Sequence, residues 1–534
     1  MTGTTTKEHV KNQSSNNNAD ANATASTTVD IYDLFARRGF LFPGSEMYGG
    51  LSGFYDYGPL GAGLRRKLVE LWRQECVRNE GYVEIDGSNV LREEVLEASG
   101  HVANFGDPIT RCKECDEVFR ADHLINQEGG GINVEGLPND EMTRIISEKK
   151  IKCSSCGGLL LPVETFPLMF GLSVGARNPV KAYLRPETAQ NIFTSFQRVF
   201  KAERERMPLG IAQTGRSFRN EISPRQGIIR LREFTQMEIE IFLSPDDLNK
   251  HPRWNELSET QVRLLTRDEQ KSGKSESEFK ELECTASEAL ASGVIPSQYM
   301  AYWIAKETLF YLKIGIPFDK FRFRHLLEDE TPFYSTGNFD LEVMTEFGWK
   351  ETIGNAYRTD HDLSSHAKRS GSKIEVLKDG QKFTPHVFEP SWGLDRMFYC
   401  VMEYAYVPKD TDREWAWLRL SPKIAPVTVK VSPLMKRDGL DTIAGTILAE
   451  LMRAGFDCVH DDSGNVGKRY ARADEVGIPY CITVDYQSKE DGTVTIRNRD
   501  TMKQVRVKMD HLKETLTDLV EGTKRFEDLG PPIN

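Results

Sequence analysis

Two pairs of cysteines and one charged hairpin hold most of the chemistry this sequence offers. Cys112 and Cys115 form one C-x-x-C, Cys153 and Cys156 form another, and Gly157-Gly158 supplies a tight turn that lets backbone amides approach the thiolates. Two such knuckles have the donor set of a closed, structural tetrahedral zinc site. A redox dithiol needs one pair, and a degenerate knuckle holds no metal. The second stretch, FRNEISPRQGIIRLREFTQMEIEIF, runs from Phe218 to Phe242. Its first half carries Arg219, Arg225, Arg230 and Arg232. Its second half alternates, with Met237, Ile239 and Ile241 on one strand face and Gln236, Glu238 and Glu240 on the other. Alone, that alternation describes an antiparallel strand with one solvated face. The guanidinium groups beside a row of carboxylates need a further reason.

The elements that must position these residues can be read along the chain. With 534 residues the chain is too long for one core. Residues 1–28, rich in Asn, Thr, Ser and Ala, are expected to be a disordered tail. GPLGAGLRRKLVELWRQECVR predicts a helix with Leu64, Leu68, Leu71, Trp72 and Cys76 on one stripe. Residues 243–320 read as a helical, Lys/Glu-rich insertion with its packing helix. After Leu420, strand and helix alternate, which predicts a small α/β domain with a largely parallel sheet and a boundary near 421–425. Within it GKRYARAD places Lys468, Arg469 and Arg472 beside Tyr470. That mixture suits a phosphate backbone and an unstacked base, or else is a solvated helix face.

The net charge of −11 excludes a generic nucleic-acid sheath but leaves room for a local basic surface. No apolar run approaches the roughly 18 residues a membrane helix needs, so no membrane partner is expected. Cys76, Cys284, Cys400, Cys458 and Cys481 sit singly and read as reduced core thiols. With no signal peptide, this predicts a cytoplasmic protein.

The motifs taken together resemble the class II aminoacyl-tRNA synthetases. GPLGAGLRRKLVELWRQ is similar to their motif 1, the Phe218–Phe242 hairpin to motif 2, and FEPSWGLDRMFYCVMEYAY to motif 3. YLRPETAQNIFTSFQRVF, ASGHVANFGDP and EPSWGLDR resemble the homodimeric type of glycyl-tRNA synthetase, and the likeness covers nearly everything after residue 31. One departure is Asn191, where the family usually has Gly.

The resemblance implies an α+β catalytic domain on an antiparallel sheet over residues 29–422. This would carry a zinc-knuckle segment at 107–165 and the 243–320 insertion, and an α/β anticodon-binding domain would follow at 423–534. It implies glycine, ATP and tRNA(Gly) as substrates, glycyl-adenylate as intermediate, and a homodimer. Arginines for a polyanion beside carboxylates for an ammonium then explain the hairpin. By the resemblance, Arg219 would hold the α-phosphate, Glu221 the adenine amino group, and Phe234 the adenine face. Arg230 and the hairpin backbone, with Asn220 and Leu231, would close over the triphosphate. Arg396 would meet the γ-phosphate, and Glu351 with Thr352 would carry Mg²⁺. Glu187, Glu238, Glu389 and Ser391 would form the glycine pocket, reached by Arg120 from the zinc segment. No smaller amino acid exists, so clash alone can exclude competitors and no editing domain is needed.

Two other readings remain at this stage. A non-catalytic nucleic-acid-binding subunit on the same fold should have lost the arginines or carboxylates, which are present here. A class II synthetase for serine, threonine or proline would need room or a metal for the larger side chain. The class I signatures HIGH and KMSKS do not occur.

Overall fold

The computed structural model describes residues 31–533 apart from 129–133, 135, 223, 225–226, 332–334, 336 and 379. The expected tail and Arg225 lie outside the described residues. Strands β1 (Val83–Ile85), β2 (Leu209–Phe218), β3 (Glu233–Leu243), β4 (Gln261–Leu265), β5 (Leu282–Thr285), β6 (Phe321–His325), β7 (Asn338–Thr345), β8 (Gly348–Thr359) and β9 (His386–Gly393) form one sheet. Its order is β5-β4-β6-β7-β8-β9-β3-β2-β1. Only the β1–β2 and β4–β6 pairs are parallel. The long central strands are antiparallel neighbours, as period-2 sequences joined by hairpins should be.

One face of this sheet rests on helices α1 (Pro59–Trp72), α3 (Gln298–Ile314) and α4 (Leu394–Ala405). Met237, Ile239, Ile241, Ile353 and Trp392 meet Leu64, Leu68, Trp72, Trp303 and Phe398 there. Pro59 starts α1, where its missing N–H costs nothing. Gly61 must be glycine, because a Cβ would lie 1.9 Å from the carbonyl oxygen of Phe40. The other face carries the candidate site and helix α2 (Ala189–Ala202), whose Phe193, Phe196 and Phe200 pack on Ile211 and Phe242.

The 243–320 segment is helical over Trp254–Leu257, Arg267–Gln270, Ala286–Ala291 and α3, but it is part of the main fold and not an insertion beside it. Its strands β4 and β5 extend the main sheet, and α3 lies inside the main core, with Tyr299 through Ala305 all buried. The segment around the cysteines builds a separate three-stranded sheet from Gly106–Arg111, Val118–Arg120 and Glu164–Pro167. It has a small core of its own around Ile125, Met142, Ile146 and Val163.

A further core begins at Val429 and takes in helix α5 (Leu440–Arg453). Strands β10 (Val429–Pro433), β11 (Cys458–His460), β12 (Tyr480–Val484), β13 (Thr493–Asn498) and β14 (Gln504–Lys508) form a sheet of order β11-β10-β12-β13-β14. The first three are parallel, but β13 and β14 add as an antiparallel meander. The sheet is therefore mixed and not largely parallel, since the short helix Tyr486–Asp491 before β13 and the turn before β14 are too short for a parallel crossover.

Candidate active site

The cross-strand register gathers the carboxylates. Glu238 on β3 lies opposite Ser391 on β9, and Ser391 lies opposite Gly354 on β8. Two residues further, Glu389 on β9 faces Ala356 on β8. The small residues on β8 leave space above the sheet, and a pocket of about 330 Å³ opens there.

Glu187, Arg219, Glu221, Arg230, Leu231, Phe234, Glu238, Glu351, Thr352, Glu389, Ser391 and Arg396 all line this pocket. Asn220 and Arg120 do not. The Asn220 amide is bound by the Leu168 carbonyl at 2.7 Å. Arg120 is held by Asp107 at 3.2 Å and Asp122 at 2.5 Å, so its charge is spent inside the cysteine-bearing segment. Thr352 contributes wall but no free hydroxyl. Its Oγ1 accepts from Tyr311 at 2.7 Å and donates to the Leu341 carbonyl at 3.2 Å.

At the carboxylate end Glu238 is buried on the face that alternation alone would leave solvated. Its oxygens accept from Thr188, from Gln236 at 2.7 Å and from Ser391 at 2.8 Å. Burial, then the charges of Glu389 and Glu187, push its carboxyl up to about 7. Burial also raises Glu389, although Arg358 donates to it at 2.8 Å. Burial acts on Glu187 too, but His101, Arg358 and Gln190 outweigh it and hold this carboxyl well below the usual range. The His101 Nε2 stands 3.5 Å from Glu187 and Gln190 donates at 2.8 Å. The pocket thus holds an ionised carboxylate beside two that resist ionisation, which is the environment a small cation would relieve.

At the guanidinium end Arg219 is stacked between Phe105 and Phe234, 5.4 and 5.2 Å from the ring centroids. Arg230 donates to Glu221 at 2.6 Å. Arg396 is aimed by the Ile229 carbonyl at 3.1 Å and the Glu351 carbonyl at 2.8 Å. Arg232 does not face the pocket. It ties the hairpin to the Ser52 carbonyl at 2.8 Å and the Glu221 carbonyl at 2.9 Å.

A model of the class II tRNA synthetase core domain matches residues 173–405, and a model of an anticodon-binding domain matches 424–519. A glycine–tRNA ligase of Methanothrix thermoacetophila is 39% identical over 94% of this chain and 99% of its own length. Those of Methanothermobacter thermautotrophicus and Pyrococcus horikoshii are each 41% identical, over 90% and 92% of this chain and 97% and 98% of their own.

The chain belongs to the glycine–tRNA ligase family.

Among solved structures a prolyl-tRNA synthetase of Cryptosporidium parvum shares the fold, with a TM-score of 0.53 at 15% identity over 92% of this chain and 77% of that one. Read as a glycine–tRNA ligase, the chain has pocket residues that its motifs do not announce. Arg358 grips Asp362 through two hydrogen bonds of 2.7 and 3.0 Å while it reaches Glu389. Asp340 lies beside Glu351, and burial followed by that neighbour's charge pushes its carboxyl well up. Glu240, next after Glu238 on the same face, does not line the pocket; it is fully buried, neither carboxyl oxygen has a hydrogen-bond partner among the described residues, and burial drives its carboxyl well up. The signal for Glu240 was the alternation itself. Arg358 and Asp340 had only strand period to mark them. Asn191 fills its place by accepting from Arg185 at 3.2 Å and donating to the Ser88 carbonyl at 3.1 Å.

The four paired cysteines come together. Sγ of Cys112 is 3.5 Å from Cys156, Sγ of Cys115 is 3.6 Å from Cys153, and all four lie within 4.8 Å of one another. A zinc tetrahedron with bonds of ~2.3 Å needs sulfurs ~3.8 Å apart, so the donor set fits. Each knuckle ends in a left-handed residue, Asp116 at φ +60° and Gly157 at φ +75°. The short helix His101–Asn104 and its C-cap Phe105, which lead into this segment, touch the site directly.

The GKRYARAD helix, α6 (Val466–Glu475), fits neither an RNA-facing patch nor a solvated helix face. Arg469 is buried and donates to the carbonyls of Pro433, Asp462 and Gly464 at 2.5–3.0 Å. Tyr470 bonds Thr483 at 2.8 Å, and Arg472 is chelated by Asp461. Lys468 alone of the four is exposed. Among the described residues no helix is long and apolar enough to cross a membrane.

Proposed function

We infer that the protein activates glycine with ATP to glycyl-adenylate and transfers the glycyl group to the 3′ end of tRNA(Gly). What carries this reading is one pocket with two chemically opposite ends, arginines at one and under-compensated carboxylates at the other. Glycine offers only an ammonium and a carboxylate, so its site must be built from charge. Glu187, Glu238 and Glu389 receive the ammonium, with Ser391 aiming Glu238. The glycine carboxylate oxygen then attacks the α-phosphorus of ATP, and pyrophosphate leaves.

Arg219, pre-aimed between Phe105 and Phe234, neutralises charge growing on the α-phosphoryl oxygens. Arg230 and Arg396 hold the β- and γ-phosphates, and Glu221 accepts from the adenine amino group. Glu351 and Asp340 are the residues that would hold Mg²⁺, since a buried carboxyl beside a second one lacks compensating charge. When bound, the metal supplies positive charge shared between phosphate oxygens. Zinc in the four-thiolate cluster is structural and braces the segment that brings His101 and Phe105 to the site.

Residues 29–422 make up the catalytic unit and 423–534 the unit that reads the tRNA. The protein works in the cytoplasm as a homodimer. The deciding experiment is ATP–pyrophosphate exchange with each of the twenty amino acids. Glycine alone should support it, and equal exchange with alanine or serine would overturn the reading.

A further inference from the structure

Behind the carboxylate end, a chain of side chains runs away from the substrate. Gln190, fully buried at the start of α2, donates from Nε2 to Glu187 Oε1 at 2.8 Å. Its Oε1 stands 2.8 Å from Nε2 of His366. An ionised carboxylate only accepts, so the amide must turn its NH₂ to Glu187 and its carbonyl to His366. Nε2 of His366 therefore carries the proton and donates. Burial lowers the imidazole below its ordinary value, which keeps the ring neutral and this tautomer dominant at neutral pH. His366 lies in the helix His361–Ser370, 6% exposed, with its ring 6.5 Å from that of Phe193. It also borders an open cleft of about 240 Å³ formed with Val95, Phe193, Arg369 and Ile374.

We propose that His366 is a positioning residue for the amino-acid site, holding the Glu187 carboxylate in place through Gln190. Without the imidazole donor, the amide of Gln190 can flip and present its carbonyl to Glu187, replacing attraction with repulsion. The hydroxyl of Thr188 and the amide of Gln236 serve Glu238, and His101 stands at the other oxygen of Glu187 at 3.5 Å, so the 2.8 Å bond from Gln190 is what fixes Oε1. The proposal rests on Glu187 as a ligand of the glycine ammonium.

The test measures exchange kinetics of the full chain and four variants. Glu187→Gln checks the underlying reading, and an unchanged KM for glycine there would remove both claims. If Glu187→Gln raises that KM, the relay is judged by His366→Phe, which keeps ring volume without a donor, and by His366→Ala. Both should raise KM for glycine about tenfold, with KM for ATP and kcat at saturating glycine within about twofold. His366→Gln restores a donor and should return KM to within about threefold of the parent. Imidazole added to His366→Ala should do the same by entering through the cleft. A KM for glycine within twofold of the parent in the folded His366→Phe protein would overturn the relay. So would equal losses for ATP and glycine, or failure of both rescues.

Discussion

The charged face of β3 and the charged helix α6 look alike as sequence and are opposites as structure. On β3, Glu238 and Glu240 are buried with their neighbours' charge against them. Glu240 has no hydrogen bond on either oxygen, and the Glu238 carboxyl is pushed up to about 7. Around α6 the buried charges are answered. Asp474 takes Arg497 at 2.7 and 2.9 Å, and Arg413 stands 3.6 Å away. Arg497 and Lys430 flank the Tyr470 ring at 4.7 and 5.5 Å. Burying a charge is tolerated only when it is paired. Charge left uncompensated in a cavity therefore points to a ligand, whereas charge fully compensated inside a domain points to architecture.

The sharpest way to break this comparison is at the guanidinium end. Arg219→Ala should lower glycine-dependent exchange by about a thousandfold or more, as expected for an arginine facing a transferring phosphoryl group. Circular dichroism should be unchanged, and residual exchange within tenfold of the parent would place the α-phosphate elsewhere.

The contrasting case is Asp474→Asn. Removing one partner of a buried pair should cost about 3–5 kcal/mol, read as earlier denaturant unfolding of the C-terminal unit. Exchange should survive while the chain is folded. A variant of normal stability with impaired tRNA charging would make α6 a recognition element after all.

Glu238→Gln comes next, with about 30- to 1000-fold lost in kcat/KM for glycine and little change in ATP binding. The same residue sets a pH signature. Its folded carboxyl titrates near 7, above its ordinary 4.5, so the folded state binds the extra proton between those values. Stability of the free protein should fall as pH rises from about 4.5 to about 7 and then level off. Glycine affinity should move the other way and improve through the same interval, because the ammonium needs the ionised carboxylate. Glu238→Gln should flatten both curves, and a wild-type glycine affinity constant from pH 5 to pH 8 would remove the assignment. The smallest effect belongs to Tyr470→Phe. Losing one hydroxyl donor should cost about 0.5–1.5 kcal/mol of stability and leave aminoacylation unchanged.

Much of this was legible in the residues alone. The paired cysteines are a local pattern with strong chemical type, and the three motifs in order carry the resemblance that singles out positions 187, 219, 238, 389 and 396, all of which line the pocket. The period-2 run of β3 predicted its two faces correctly, since side chains must alternate along an extended strand. Three things could not be read locally. The 243–320 segment joins the main sheet because β4 pairs with β6, far along the chain, and carries β5 with it as the edge strand. Arg120 is neutralised by Asp107 and Asp122, and Arg469 is buried with its NH groups donated to backbone carbonyls, so neither is free for a ligand.

Sequence by itself determined which elements form and which chemical groups they carry, because helix stripes, strand alternation and metal-knuckle spacing depend on neighbours within a few residues. Only the tertiary structure decided which charges are compensated. Register across β3, β9 and β8 sets Glu238, Ser391 and Gly354 in one row. It also brings Arg358 to Glu389 and leaves Glu240 without a hydrogen-bond partner. The physical reason is range. Propensity acts along the chain, whereas desolvation and Coulomb energy act through space and depend on residues that the linear order keeps far apart.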